Sequence, residues 1–248
     1  MSIPWRRFVA VGDSMTEGVG DPVRGGGLRG WADRLAESLR AADDSLIYVN
    51  LAKRGLKTAE VRETQLRAAM DLEPDLASVL VGMNDLLDPG FDHSRYGEEF
   101  DSMVKPLTES GTLVLTATFP DITTFSPLPK RFTAGIQARL HAASDVVREV
   151  SERRGTLMLD EDALPAPLER EILSVDRLHP SPRGHVLIAQ LFVRALEEHS
   201  GVRIPQPKEE NLAGKLTQAR WLLRQFDVSE VARFFKRFYA LPGKRRAS

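Results

Sequence analysis

The sequence predicts an α/β protein, a three-layer α/β/α sandwich around a central parallel sheet of five strands, with a helical extension at its C-terminus. Three observations predict it. Short apolar runs alternate with stretches of helical periodicity through residues 1–204. Such alternation gives a parallel sheet covered on both faces, since right-handed crossovers place helices on each side. The apolar runs end in glycine or polar residues that would reach one sheet edge, and ligands of such sheets bind beyond the carboxyl ends of the strands. Finally, 42% hydrophobic and 28% charged residues over 248 positions allow one sizeable core without staples.

The elements follow in order. Residues 8–11 (Phe-Val-Ala-Val) form an apolar run ended by Gly12 and Asp13, a buried strand. A glycine-rich loop covers 18–30. Trp31, Leu35 and Leu39 then recur at helical spacing. Residues 46–51 read as the second strand. Thr58 caps a helix through Val61, Leu66 and Met70, which Pro74 closes. Residues 77–81 are the third strand, with Gly82 at its carboxyl end, and 96–107 a helix. Gly111 introduces the fourth strand, 112–118, rich in β-formers. Residues 119–130 hold three prolines and no regular period, an ordered loop whose Phe119, Ile122, Phe125 and Leu128 suggest an apolar lining. A long helix, 132–153, is punctuated by Gly155. Strand 157–159 and helix 182–198 complete the body.

Pro205-Gln206-Pro207 marks a boundary, dividing a body of residues 1–204 from a tail of 205–248. The formal net charge is −1, yet from Arg203 onward eleven Lys/Arg face four acidic residues, leaving −8 on the rest. Leu212, Leu216, Leu223 and Phe226, then Val228, Val231, Phe235 and Phe238, recur at near-helical spacing. The tail therefore reads as a helical pair docked apolar face down on the acidic body. Its sharper reading is a contact with anionic membranes or a lid, with Phe234, Phe235 and Phe238 as the wedge. Charge alone does not make it a nucleic-acid module, for it carries no recognised fold of that kind. There is no cysteine, which removes disulfides and thiolate chemistry. Residues 8–11 are too short for a signal core, and no run approaches the ~20 apolar residues of a membrane span. The expected location is the cytoplasm.

A serine hydroxyl needs a base to become a nucleophile. Histidine suits that task when a carboxylate fixes its tautomer. Ser14 follows the first strand, and Asp176-Arg177-Leu178-His179 supplies carboxylate and imidazole three residues apart, one side of a turn. The negative oxygen formed on the substrate needs pre-aimed donors. Candidates are the backbone N–H of Ser14, the backbone N–H of Gly55 and the side-chain amide of Asn84, each after a strand.

These residues resemble a known family. Gly12-Asp13-Ser14-Met15-Thr16-Glu17-Gly18 is similar to the nucleophile block of the SGNH (GDSL-type) hydrolases, with Met15 where the family name carries leucine. Residues 50–55 (Asn-Leu-Ala-Lys-Arg-Gly) resemble the second block, Gly82-Met83-Asn84-Asp85 the third, and Asp176 to His179 the fifth, in the family's order. The resemblance implies a flavodoxin-like α/β/α fold and an acyl-serine intermediate, with Ser14, Asp176 and His179 catalytic. It also implies an oxyanion hole of Ser14, Gly55 and Asn84, and neither metal nor cofactor. The expected substrate is a small-molecule carboxylic ester with a short to medium acyl group, a lipid or an acetylated carbohydrate. Acyl transfer from the same intermediate and a non-catalytic binding module are the alternatives. A metal-dependent phosphoesterase fits poorly, because no Asp-x-His pair accompanies Asp13 and Asn84. His93, His141 and His199 read as surface residues, and His185 as surface or packing. Asp13 reads as a structural acceptor in the nucleophile turn. Arg24, Arg29 and Arg54 flank the site, and a solvated role outweighs anion binding for each.

Overall fold

The computed structural model describes residues 3–23, 25–125, 129–161, 170–210 and 212–225. Its centre is the expected five-stranded parallel sheet, in the order β2-β1-β3-β4-β5. The strands are β1 (Arg7–Gly12), β2 (Ile47–Asn50), β3 (Leu76–Leu80), β4 (Leu113–Ala117) and β5 (Leu157–Leu159). The helices begin with α1 (Ser14–Glu17), α2 (Trp31–Ala42), α3 (Thr58–Val61) and α4 (Arg67–Asp71). There follow α5 (Met83–Leu86), α6 (His93–Glu109), α7 (Lys130–Arg154), α8 (Pro182–Ser200) and α9 (Lys215–Gln225).

The two-residue period of the strands sorts the core into two halves. Val9 and Val11 of β1 join Ala77 and Val79 of β3 beneath Phe100 and Met103 of α6 and Val147 of α7. Phe8 and Ala10 face the opposite way, toward Trp31 and Leu35 of α2 and Phe192 of α8. Both faces of the sheet are thus roofed by helices, which is why its central strands are apolar but for Arg7 at the start of β1 and the small buried Ser78 and Thr116. Ser181 caps α8 by accepting the Gly184 N–H at 3.1 Å, and Pro182 takes the first helical position, where no N–H is needed.

Several boundaries differ from expectation. Helix α6 starts at His93 rather than residue 96, because the Asp92 carboxylate accepts the N–H groups of Ser94 and Arg95 at 2.9 and 3.1 Å. The expected single helix from Thr58 is interrupted between α3 and α4 by a π turn, Arg62–Leu66. The irregular loop after β4 holds a 3-10 turn, Ile122–Phe125, and Ile122 is buried in the core rather than lining a pocket. The first tail helix is present as α9. Two leucines of the expected stripe do not face the body, however: Leu216 and Leu223 are 75% and 71% exposed. The second tail helix, with Phe234, Phe235 and Phe238, lies outside the described residues.

Strand β1 pairs with β2 on one side and β3 on the other, Val9 opposite both Val49 and Ala77. The chain therefore reverses its direction of winding at β1, and a crevice opens beyond the carboxyl ends of β1 and β3.

Candidate active site

Ser14 opens α1 two residues after β1 ends. The turn is tight, and a side chain at Gly12 would collide with the Leu80 carbonyl oxygen and with Thr16. Glycine is what lets β1 and β3 remain paired there. Asp13 caps α1, its Oδ1 accepting the Met15 N–H at 3.1 Å, the structural role its position suggested. Burial pushes the Asp13 carboxyl up to about 6. Gln65 holds the turn from the other side: its amide nitrogen donates to the Gly12 carbonyl and its oxygen accepts the Gly12 N–H, both at 2.9 Å.

The segment before α8 brings in the second half of the site. The Ser174 N–H donates to the His179 carbonyl at 2.8 Å and the Arg177 N–H to the Ser174 carbonyl at 3.0 Å. Arg177 sits at φ 59, a left-handed conformation that a non-glycine residue adopts only when its surroundings hold it there. Inside this loop Asp176 Oδ1 accepts the N–H groups of Leu178 and His179 at 3.0 and 3.1 Å. Its Oδ2 lies 2.7 Å from His179 Nδ1, and His179 Nε2 lies 2.9 Å from Ser14 Oγ. Hydroxyl, imidazole and carboxylate stand in one hydrogen-bonded series. Burial would raise the Asp176 carboxyl, but the His179 ring and the two amide donors outweigh it and hold it below the usual carboxylate range.

The candidate oxyanion donors lie around this series. The Ser14 N–H stands at the start of α1, where it has no intrahelical carbonyl to meet. Gly55 has φ 82, and a Cβ there would meet nothing within 4 Å. Glycine is needed at that position for its backbone conformation, and it leaves an open face beside the amide. Asn84, at the second position of α5, donates one amide hydrogen to the Leu56 carbonyl at 2.9 Å. Its side chain is thereby fixed on the Gly55 loop with a second hydrogen to offer.

Three residues that sequence reasoning missed tie these parts together. Glu17 accepts the Arg54 backbone N–H at 2.8 Å and grips the Arg54 guanidinium through both oxygens, also at 2.8 Å. The Gly55 loop is thus moored to the helix that carries Ser14. Asp85 accepts both the N–H and the hydroxyl of Thr58 at 2.9 Å, mooring α3 to α5. Gln65 is the third. Glu17 lay in plain view inside the nucleophile block; Gln65 had no signal, since only the π turn rotates it inward to 4% exposure.

The remaining candidates settle as follows. His93, His141 and His199 are on the surface or its edge. His185 is wholly buried: its Nδ1 accepts the Trp31 N–H at 3.1 Å and its Nε2 donates to the Val19 carbonyl at 3.0 Å. Burial holds that ring neutral, with its pKa lowered to about 3. Arg29 pairs with Glu37 and Arg54 with Glu17, so neither is a free anion site; Arg24 lies outside the described residues. Among the described residues no three His, Asp or Glu side chains are grouped to hold a metal ion, and no helix is long and apolar enough to cross a membrane.

A parallel α/β/α sheet with this series at its carboxyl edge defines an ester-hydrolysing enzyme of the SGNH class. The chain belongs to the GDSL-like lipase/acylhydrolase family, whose family model matches residues 10–187. It is similar to an acetylxylan esterase of Geobacillus stearothermophilus, 25% identical over 214 residues, which is 77% of this chain and 93% of that one. Among solved structures it resembles an alpha/beta hydrolase enzyme from the metagenome of Lake Arreo, Spain, at 23% identity and a TM-score of 0.63. That match covers 79% of this chain and 96% of the other. It also resembles the psychrotrophic esterase EstA from Pseudoalteromonas sp., at 15% identity and a TM-score of 0.60, over 79% of this chain and all of that one.

Proposed function

We propose that the protein hydrolyses small carboxylic esters through an acyl-serine intermediate, with Ser14 as nucleophile, His179 as base and Asp176 as its orienting carboxylate. The observation that carries this is the unbroken series from Ser14 Oγ to His179 Nε2, 2.9 Å, and from His179 Nδ1 to Asp176 Oδ2, 2.7 Å. Ser14 Oγ attacks the acyl carbon and passes its proton to His179 Nε2, while the carbonyl electron pair moves onto oxygen. The N–H groups of Ser14 and Gly55 and the Asn84 amide receive that oxyanion. Collapse expels the alcohol, which takes the proton from His179, and water repeats the sequence to free the acid. Asp176 stays ionised throughout, in keeping with its lowered pKa, and holds the ring in the tautomer with a proton on Nδ1.

The substrate class we propose is an acetylated small molecule or carbohydrate, supported by the similarity to an acetylxylan esterase. Residues 1–204 form the catalytic domain and 205–248 an extension. That extension carries the basic tail, for which an anionic membrane surface is the proposed partner, and the cytoplasm is the proposed location. Exposed Leu216 and Leu223 beside Lys215, Arg220 and Arg224 on α9 support the membrane reading.

A chain-length series of nitrophenyl esters, run on the protein and on Ser14→Ala, tests the reading. Acetate and butyrate should be the best substrates, and the variant should lose about three or more decades of rate. A fluorophosphonate should label the protein but not the variant. Turnover of Ser14→Ala near the parent rate would overturn the mechanism, and a preference for long acyl chains would overturn the substrate class.

A further inference from the structure

Helix α9 lies outside the residues that the family model matches, yet it touches both halves of the site. The Trp221 ring stacks over the Arg54 guanidinium, 4.8 Å from its carbon to the ring centroid. The edge of that guanidinium is taken by Glu17 through Nε and one terminal nitrogen. The other terminal nitrogen is buried with no hydrogen-bond partner among the described residues, as expected when an indole covers it in place of water. One turn earlier Gln218, 5% exposed, accepts the Ser174 hydroxyl at 3.2 Å and donates to the Ala213 carbonyl at 2.9 Å. Ser174 in turn donates its backbone N–H to the His179 carbonyl.

We propose that α9 is a strap across the rim of the active site, and that Trp221 is a positioning residue that fixes the Arg54–Gly55 segment. The contact is specific rather than a collapse of apolar surface. The body-facing side of α9 presents Gln218 and Trp221, while Leu216 and Leu223 face outward. Arg54 is held in three directions: its backbone and edge by Glu17, and its face by Trp221. Gly55 follows it directly, with open space where a Cβ would stand, so the direction of its N–H depends on how firmly Arg54 is seated on one side and Leu56 is held by Asn84 on the other. A donor aimed at the oxyanion contributes in the transition state rather than in substrate binding. Loosening the strap should therefore lower kcat and spare KM. This inference rests on the assignment of Ser14 as nucleophile and of the Gly55 N–H as an oxyanion donor.

The test uses the full chain, with nitrophenyl acetate as substrate and three variants. Trp221→Leu removes the aromatic face and should lower kcat about tenfold, a fraction of the 10²–10³ typical of losing one donor outright, with KM within about twofold. Trp221→Phe keeps a ring for the guanidinium and should retain at least about half of kcat. Gln218→Ala, which removes the other anchor without disturbing a stacked ring, should lower kcat about threefold. An unchanged kcat in Trp221→Leu overturns the strap, whatever Gln218→Ala does. So does a loss confined to KM, or a Trp221→Phe variant as impaired as Trp221→Leu. Ser14→Ala assayed alongside separates the two levels: turnover there overturns the assignment beneath the strap, while a dead Ser14→Ala with a fully active Trp221→Leu overturns the strap alone.

Discussion

Gln65 is the residue on which the geometry of the nucleophile turn depends most directly. It meets both backbone groups of Gly12 in a place where water has no access, and no other side chain offers them partners among the described residues. Gln65→Leu fits the volume but leaves the buried Gly12 N–H unpaired, while the Gly12 carbonyl keeps the Lys53 N–H at 3.2 Å. Such an orphan costs about 1–3 kcal/mol. We therefore expect the urea midpoint to fall by an amount equivalent to about 1–3 kcal/mol. Turnover should fall as well, because Ser14 follows that turn by two residues. A midpoint within the error of the parent protein would show that the turn is held by other means. At this scale the sequence was informative wherever chemistry and spacing coincide. Asp176 and His179 are three apart on one turn, so their pairing was legible; Ser14 was legible from its block. Gln65 was not, because nothing in a glutamine distinguishes one that reaches a strand end from one on a solvated face.

Among the elements, α8 and the loop that enters it show how a helix start serves a site. Ser181 caps α8 by accepting the Gly184 N–H and donates its own hydroxyl to the Glu171 carbonyl at 2.6 Å. The same side chain thus closes the base of the loop that carries Asp176 and His179. Ser181→Ala removes both bonds and should cost about 1–2 kcal/mol, read as a lower urea midpoint with an unchanged slope. An unaltered midpoint would mean that the loop is held by its internal bonds alone. Element types and order were readable from periodicity, since β1 and β3 are apolar but for Arg7 and Ser78 and α2 keeps a helical stripe. The two exceptions have separate causes. Between α3 and α4 the π turn inserts a residue into the helical count, and the apolar period cannot anticipate it. In α9 the leucine stripe pointed to a buried face, but cation–π and hydrogen-bond partners on the body selected the side bearing Gln218 and Trp221.

At the level of the whole molecule, two buried titratable groups act on stability in opposite directions as pH changes. His185 stays neutral in the folded protein down to about 3, whereas in an unfolded chain it takes a proton near its ordinary 6.5. Its contribution is therefore present above 6.5 and is lost as pH falls toward 3, by at most about 1.4 kcal/mol per pH unit. Asp13 behaves in the reverse sense. Its folded pKa of about 6 lies above the ordinary 3.8, so its contribution is present in acid and is lost as pH rises through 6. The two partly cancel between about pH 4 and 6, and a substitution exposes either one. His185→Gln should be less stable than the parent at pH 7, where the imidazole packs without charge, and the gap should narrow by pH 4.5. Urea unfolding at both pH values measures it; a gap that stays constant would mean that His185 does not titrate with unfolding.

The bond between Ser14 and His179 joins residues 165 positions apart, and four of the five strands of the sheet, β2 to β5, lie between them in the chain. A polypeptide growing on a ribosome therefore exposes its proposed nucleophile early and its proposed base late. The hydroxyl emerges as an ordinary alcohol and becomes reactive only when the last crossover has been laid down, so the cell meets no half-made esterase.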